Sequence, residues 1–309
     1  MLVDFGVADE FLAGPSMSGR ELNTKGRVLV NTSVEQQVRE YYDHAGPAYH
    51  ALMGQFWHHG DLEAERAGLS PEEAAKALAR KQIDAAGLRP GGTGLDFGSG
   101  VGGTAVYTAS VAGANVVGIS NNEWLSAQAR AYAAEQGMSE RAAFLTVGDE
   151  DYKTLVAWPD GSLDMVSFYE SVCHLPEKAA FFTAAFRTLK PGACLVGVDW
   201  IRRPFGEHVT EEQIAPFIGP VEQVISIPKL GSLDEYREMM TAAGFVVEVA
   251  EDLYPDVECW GSTPPDDGQG WGEYAGEQDT VIHDGKRVLD AARAAGVFSV
   301  ARWVARKPA

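Results

Sequence analysis

The sequence predicts an α/β protein built on a doubly wound, mostly parallel sheet of seven strands with a helical cap at its N-terminal side. Short apolar runs alternate with helix-length segments from residue 94 onward, which is the pattern of repeated β-α units. The first of these runs, residues 94–97, ends in a glycine-rich loop that leads into a helix. In a parallel sheet such a loop lies outside the carboxyl end of its strand, where ligands bind.

The segment before the sheet divides into two parts. Residues 1–32 are predicted to form a flexible arm, because they contain glycine, serine and aspartate without hydrophobic periodicity. Residues 33–90 are predicted to supply the cap and the lead-in helices. A helical pattern covers residues 33–51, and Ser70 before Pro71 is typical of a helix start.

Residues 91–309 are predicted to form the ligand-binding domain. The expected strands cover residues 94–97, 115–119, 143–147, 163–168, 193–198, 245–249 and 297–304. The expected helices cover residues 104–112, 123–136, 178–189 and 232–243. An inserted segment at about residues 201–231 is expected to cover a substrate, and about residues 254–280 are expected to be a loop.

Composition excludes several classes of function. The net charge of −19 and the pI near 4.7 argue against nucleic acid as a partner, since its phosphates require clustered basic residues. No apolar stretch approaches the roughly 20 residues that span a bilayer, so we expect no membrane partner and a cytoplasmic location. Three separated cysteines favour neither a disulfide framework nor a zinc site. A small-molecule partner is expected, and homo-oligomer formation is left open.

The glycine loop indicates a nucleotide-type cofactor. Gly98, Gly100 and Gly103 fit the spacing G-x-G-x-x-G, which nicotinamide, flavin and other adenosine-binding folds share. Asp96 precedes the first of them, and its carboxylate would repel a pyrophosphate but attract an ammonium group. S-adenosylmethionine (SAM) carries such an ammonium. The simpler interpretation is that Asp96 caps the next helix and the glycines form an ordinary turn.

The motif of Asp96 to Gly100 resembles the first motif of the class I SAM-dependent methyltransferases, acidic-x-G-x-G. The resemblance continues through Gly148-Asp149, through residues 169–176 and through the segment Leu-Lys-Pro-Gly-Ala at residues 189–193. It implies a Rossmann-like methyltransferase fold with SAM as cofactor. It also implies that the acidic loop after the third strand accepts from the adenine amino group. The cofactor residues predicted on this basis are Tyr41, Tyr42, Asp96, Gly98, Ser99, Gly100, Asn121, Asn122, Asp149 and Glu150.

Two of these predictions have alternatives. Most members of the family offer an acidic residue to the ribose hydroxyls after the second strand, whereas Asn121 and Asn122 stand here. An amide can still hydrogen-bond a ribose, although more weakly than a carboxylate. Tyr41 and Tyr42 are expected to close over the methionine end, but aromatic residues at helical spacing are often simply core residues.

Catalysis is expected where the fourth strand ends, at Tyr169, Glu170 and His174. Methyl transfer from a sulfonium is an in-line displacement, so the protein positions the acceptor and, where necessary, removes a proton. Glu170 or His174 is the predicted base. The alternative is that Glu170 orients the loop and His174 caps the following helix.

Aromatic residues around the expected cleft indicate an apolar acceptor. If the acceptor is an alkene, aromatic faces would stabilise the resulting carbocation and Glu170 would remove a proton from it. The chain is similar in this to C-methyltransferases of prenyl diphosphates, whose entry segment resembles residues 41–43 through 58–60. The resemblance implies that Arg202, Arg203, His58 and His59 hold a diphosphate, with a magnesium ion as a further option. The predicted substrate-binding residues are Tyr49, Phe56, Trp57, His58, His59, Trp200, Arg202, Arg203 and Trp260.

Other functions stay open at this point. An O- or N-methyltransferase of another secondary metabolite would need no alkene site and would use the tryptophans for packing. A nicotinamide oxidoreductase would share the glycine loop but should lack Asp96 and carry an acid after the second strand. A noncatalytic partner-binding protein on this fold would need no polar pair at the end of the fourth strand.

Overall fold

The computed structural model describes residues 21–22, 28–29, 33–203, 210–255, 259 and 280–309. The chain divides into two compact units, Met1–Ser33 and Val34–Ala309. In the first unit, β1 (Glu21–Leu22) pairs with β2 (Val28–Leu29) in antiparallel fashion. The rest of the predicted N-terminal arm lies outside the described residues.

Three helices precede the sheet of the second unit: α1 (Val34–Met53), α2 (Leu62–Arg66) and α3 (Pro71–Ala86). The start of α3 is a capping box, in which Ser70 accepts from the backbone of Glu73 and the Glu73 carboxylate accepts from that of Ser70. Gln82 of α3 donates to the carbonyls of Gly197 and Trp303, at 2.8 and 3.2 Å. The helix is therefore attached to the sheet by hydrogen bonds as well as by apolar packing.

The sheet has the strand order β5-β4-β3-β6-β7-β9-β8. Strand β9 runs antiparallel to both of its neighbours, and the other described pairings are parallel. The predicted mostly parallel sheet of seven strands is thereby confirmed. The strands are β3 (Thr93–Phe97), β4 (Asn115–Ser120), β5 (Ala142–Thr146), β6 (Leu163–Tyr169), β7 (Leu189–Arg202), β8 (Val246–Asp252) and β9 (Phe298–Arg306).

Helices connect or flank these strands. They are α4 (Gly103–Ala112), α5 (Glu123–Glu135), α6 (Asp149–Thr154), α7 (Lys178–Thr188), α8 (Glu211–Val224), α9 (Leu233–Ala243) and α10 (Thr280–Ala294). The sequence did not predict α6, α8 or α10. Helix α8 contains Pro216 and Pro220, which ordinarily argue against a helix interior. Of the loop predicted at residues 254–280, only residues 254, 255, 259 and 280 are described.

Two apolar clusters position the carboxyl edge of the sheet. One packs α7 and α9 against it through fully buried Phe97, Phe168, Phe181 and Trp303. The other joins α1, α8 and α10 to β7 through Tyr41, Ile218, Leu289 and Val198. Helix α1 is thereby held as one wall above the ends of the strands. None of the described helices is both long enough and apolar enough to cross a membrane.

Candidate active site

A cleft of about 1290 Å³, including its open mouth, lies at the carboxyl ends of β3, β4, β6 and β7. Residues of the glycine loop and of the end of β4 line one part of it. Aromatic residues from α1, β6 and β7 line another part, together with Glu170. The cleft therefore brings the predicted cofactor and catalytic segments together.

The glycine loop leaves its backbone open to the cleft. Gly98 has a φ of +70°, and a Cβ on it would lie 2.2 Å from the Cβ of Ser171. Gly100 has a φ of +51° and no neighbouring atom within 4 Å of a Cβ position. Gly98, Ser99 and Gly100 all line the cleft. A side chain at Gly98 would thus strain the backbone and fill the space beside the loop.

Asp96 supplies a buried carboxyl group at the cofactor end of the cleft. It is 3% exposed, and its Oδ1 accepts a hydrogen bond from the Ser167 hydroxyl at 2.9 Å. Burial raises the pKa of Asp96 to about 7, with the Ser167 hydrogen bond opposing the rise. A bound ammonium group would favour the carboxylate form. These residues fit the methionine portion of SAM.

Of the residues predicted to contact the ribose and the adenine, some line the cleft and others lie away from it. Asn121 lines the cleft. Asn122 instead caps α5 by accepting from Leu125 N at 3.0 Å, and it donates to Asp43 at 2.7 Å. The Asp149 side chain forms an ion pair with Arg39.

Neither Asn122 nor Asp149 lines the cleft, so the structure does not place their side chains where the prediction put them. The side chain of Glu150 lies outside the described part of the protein.

Aromatic side chains of α1 and the following loop form the wall opposite the sheet. The hydroxyls of Tyr41 and Tyr49 hydrogen-bond each other at 2.6 Å, and the Trp57 indole donates to Gly54 O at 2.8 Å. Tyr41, Tyr42, Tyr49 and Trp57 all line the cleft. Their polar groups are engaged within the protein, so ring surface is the main feature that they offer to a ligand.

Phe56 does not belong to this wall. It is 4% exposed and packs edge-on against His58 and Tyr107, with ring centroids 6.2 and 6.3 Å apart. The prediction that Phe56 lines the acceptor site is therefore wrong about its position, because its ring fills the core beside α4.

His174 lies in a 3-10 turn (Val172–His174) directly after β6 and lines the cleft. Its Nδ1 lies 3.3 Å from Ser226 O and its Nε2 3.0 Å from the Tyr42 hydroxyl. Since a carbonyl can only accept, Nδ1 carries the proton and Nε2 accepts from Tyr42. Burial lowers the pKa of His174 to about 4. The imidazole is therefore neutral near pH 7, with both nitrogens engaged.

Glu170 is the carboxylate of the aromatic part of the cleft. Its Oε1 accepts from His59 N at 2.7 Å and from His59 Nδ1 at 2.8 Å, and its Oε2 accepts from Trp200 Nε1 at 2.5 Å. Burial raises the pKa of Glu170, but the charge and hydrogen bonds of His59 outweigh this and leave the pKa below its usual value. Glu170 is thus ionised near neutral pH. Tyr169 also lines the cleft, and its ring lies 4.7 Å from that of His58.

The basic residues predicted to hold a diphosphate do not assemble. Arg202 pairs with Glu211 and with Glu235, the latter at 2.8 Å. Arg203 donates to Asp252 at 2.7 Å and to Ser299 at 2.9 Å. Neither arginine lines the cleft. Their carboxylate partners come from α8, nine residues from Arg202, and from α9 and β8, which are 33 and 49 residues away from their partner arginines.

The two histidines of the same prediction also have partners within the protein. His58 lines the cleft, but its Nδ1 faces His59 O at 2.8 Å and its Nε2 faces the Thr104 hydroxyl at 2.9 Å. His59 lies behind Glu170 and is not a lining residue.

The described lining residues include no lysine or arginine. The described part of the chain also holds no cluster of three or more His, Cys, Asp or Glu suited to a metal ion. The predicted magnesium site is therefore not supported there. Trp260 lies outside the described residues.

Several lining residues were not predicted. Ile225 follows α8 and Leu289 lies in α10, two helices that the sequence pattern did not indicate. Tyr152 of α6 stacks on Phe97, with ring centroids 4.2 Å apart, and lies beside the glycine loop. The acidic run around Tyr152 concealed a short helix, because charged residues there resemble a solvated loop.

Comparison with known proteins identifies the domain. Residues 95–197 match the family described as methyltransferase domain. A sterol 24-C-methyltransferase of Pneumocystis carinii is 28% identical over 227 residues, covering 71% of this chain and 59% of that protein. A 2-methyl-6-phytyl-1,4-hydroquinone methyltransferase of Synechocystis is 32% identical over 196 residues, covering 60% of this chain and 58% of that protein. The chain thus spans about three fifths of the length of these relatives.

A solved structure shows the same fold. The geranyl diphosphate C-methyltransferase of Streptomyces coelicolor, in complex with Mg²⁺, geranyl diphosphate and S-adenosylhomocysteine, aligns with a TM-score of 0.67 and 18% identity. The alignment covers 89% of this chain and 98% of that one. The resemblance to the class I SAM-dependent methyltransferases is confirmed, with residues 95–197 matching the methyltransferase domain.

Proposed function

We propose that this protein transfers the methyl group of SAM to an alkene carbon of a neutral, apolar acceptor of the isoprenoid class. The observation that carries the proposal is the acceptor part of the cleft. It presents aromatic rings whose polar groups are engaged elsewhere, together with the ionised carboxylate of Glu170. Relatives named for a sterol, a phytyl hydroquinone and geranyl diphosphate support an isoprenoid acceptor.

The cofactor end of the cleft fits SAM. Gly98 and Gly100 leave room for the methionine portion, Asp96 suits its ammonium group, and Asn121 can hydrogen-bond the ribose. When bound, SAM supplies an electrophilic methyl group. The protein's own contribution is to hold the acceptor in line with that group and to keep water away from it.

Charge development favours an alkene acceptor. Methylation of a carbon-carbon double bond leaves a positive charge on the neighbouring carbon of the acceptor. Faces of Tyr42, Trp57 and Trp200 can stabilise such a charge, each by about 0.5–2 kcal/mol. The Glu170 carboxylate adds Coulombic stabilisation in a region of low dielectric. His174, which is neutral, adds no opposing charge.

The proton step also favours an alkene. A C–H bond next to the carbocation breaks, its electrons form the new double bond, and the proton passes to a Glu170 oxygen. A carboxylate of lowered pKa is a weak base, but the proton beside a carbocation is acidic enough for such a base. A phenol or an alkylammonium group holds its proton far more tightly. Neither Glu170 nor His174, whose pKa burial lowers to about 4, suits removal of that proton.

The cleft favours a neutral acceptor over a diphosphate. A diphosphate would need several cations, and both arginines near the end of β7 are paired with carboxylates of the protein. The protein also carries a net charge of −19, which does not attract an anionic substrate.

The test is incubation of the protein and SAM with a panel of acceptors, followed by mass spectrometry for the gain of one methyl group. The panel pairs neutral isoprenoid alkenes with prenyl diphosphates, with and without magnesium, and with phenols and amines. We expect C-methylated neutral alkenes, and loss of that product in Glu170→Gln. Methylation of phenols or amines alone would contradict the proposal. A magnesium-dependent preference for diphosphates would contradict its choice of a neutral acceptor.

A further inference from the structure

His59 and Glu170 form a buried pair at the wall of the cleft. Their side chains are 0% and 5% exposed. His59 donates twice to the same oxygen, from its backbone N and from Nδ1, while Trp200 donates to the other oxygen. Three donors on two oxygens fix both the position and the plane of the carboxylate.

The backbone of Glu170 needs this support. Its φ is +52°, in the left-handed region that glutamate rarely adopts. Its own N–H donates to Val198 O at 2.7 Å, which attaches the residue to β7. The conformation turns the chain as it leaves β6. The side-chain hydrogen bonds from His59 and Trp200 then determine where the carboxylate lies.

His59 is itself held in place. Its ring meets the ring of Tyr254 edge-on, with centroids 5.8 Å apart, and the side chain of Cys259 acts on its titration. The Tyr254 hydroxyl donates to Glu65 at 3.0 Å and lies 3.2 Å from Gly60 O, a second possible acceptor for the same proton. An imidazole with a fixed ring plane can direct its Nδ1–H at one oxygen only.

We infer that His59 is a positioning residue, which keeps Glu170 ionised and oriented for the proton and the positive charge of the reacting acceptor. The inference rests on the role proposed for Glu170. His59 does not line the cleft, so it acts through Glu170 and not on the acceptor. As a cation it also favours the carboxylate form of Glu170, so that after each turnover the proton taken from the acceptor passes from Glu170 to water.

The charges around the pair agree with this role. Burial alone would lower the pKa of His59, but the Glu170 carboxylate and, to a smaller extent, the Cys259 side chain raise it to about 9. The other described titratable groups that face the pair are phenols, thiols and one imidazole whose pKa burial lowers. No second cation among them can replace His59. These groups are Tyr42, His58, Cys173, Tyr254 and Cys259.

The first test measures the protonation of His59 in the absence of any acceptor. In protein with ¹⁵N-labelled histidine, NMR titration of the His59 ring, assigned by its absence in His59→Gln, should show a protonated imidazole up to about pH 9. Glu170→Gln should bring the titration of this ring well below that pH. A neutral His59 at pH 7 in the unsubstituted protein would overturn the inference, whatever the acceptor proves to be.

The second test uses turnover. His59→Gln retains a neutral donor and removes the charge, whereas His59→Phe removes both. Both variants should bind SAM within about twofold of the unsubstituted protein. Loss of the charge lets burial raise the pKa of Glu170, so kcat should fall about tenfold per pH unit below the new pKa. His59→Phe should be slower at every pH.

A matched control is His283→Gln, an exposed histidine of α10, which should keep the original pH profile. Unchanged pH profiles in both His59 variants would contradict the inference. Absence of any methylated product from the unsubstituted protein would instead contradict the proposed function, and the NMR titration would still decide on the pair.

Discussion

Replacement of Asp96 by Asn should weaken SAM binding and, at the same time, stabilise the cofactor-free protein above pH 7. A charge-assisted hydrogen bond contributes about 1.5–3 kcal/mol, so its loss should raise the Kd of SAM about 10- to 150-fold at pH 8. The Asn amide oxygen can still accept from Ser167, which now donates to Asp96 at 2.9 Å. The binding loss would therefore not come from general damage to the fold.

The stability gain follows from the sign of the pKa shift. Burial raises the pKa of Asp96 from 3.8 to about 7, so the folded protein favours the protonated form. This contribution to the free energy of unfolding is complete below about pH 4 and is lost as the pH rises through about 7. At about 1.4 kcal/mol for each pH unit between the two values, the loss amounts to about 4 kcal/mol. The Asn side chain does not ionise, so Asp96→Asn does not lose this stability as the pH rises.

Two measurements check this pair of effects. Calorimetry should show the Kd of SAM rising about tenfold per pH unit below pH 7 in the unsubstituted protein but not in Asp96→Asn. Thermal unfolding without SAM should show a variant whose advantage grows from pH 6 to pH 8. Equal SAM affinity at pH 8, or a variant less stable than the unsubstituted protein at pH 8, would refute the reasoning.

Three further predictions concern the loop, the base and an arginine. Gly98→Ala should weaken SAM binding more than tenfold and lower Tm, whereas Gly87→Ala, with a similar φ of +68° and free space, should lose only about 1 kcal/mol of stability and keep SAM affinity. Equal effects at the two glycines would contradict this. Glu170→Gln should bind SAM normally in calorimetry but lose at least about 100-fold in kcat. Near-normal turnover would leave Glu170 a structural role. Arg203→Ala should lower the free energy of unfolding by about 2 kcal/mol, because the half-buried carboxylate of Asp252 loses its cation, with the acceptor KM unchanged. A large rise in KM would show that the arginine binds the acceptor.

The sheet and the cofactor loop were predictable because their signals are local. Apolar runs with helices between them determine the parallel order, and Asp96 with Gly98 and Gly100 lies within five consecutive residues. The helix start at Ser70 and Pro71 is equally local and formed as predicted, with a capping box that the prediction did not include. Helix α8 was missed because Pro216 and Pro220 interrupt its pattern.

The acceptor site was less predictable because its contacts join distant segments. His59 and Glu170 are 111 residues apart in the sequence, and no periodicity relates them. Two adjacent arginines, Arg202 and Arg203, suggest a phosphate-binding site in the sequence. In the structure both form ion pairs with carboxylates of α8, α9 and β8. The amide side chain of Asn122 is able to hydrogen-bond a ribose, which is why the sequence suggested that role. Because Asn122 directly precedes α5, its side chain caps that helix instead.

The protein is proposed to methylate an alkene carbon and not a heteroatom. The most direct test is one neutral acceptor that carries both a prenyl double bond and a phenol hydroxyl, incubated with the protein and SAM bearing a deuterated methyl group. Mass spectrometry and NMR of the product then locate the label within one molecule, so that solubility and binding are the same for both positions. The account predicts the label on carbon, with loss of one acceptor proton and no product from Glu170→Gln. A label on the phenol oxygen, retained in Glu170→Gln, would contradict it.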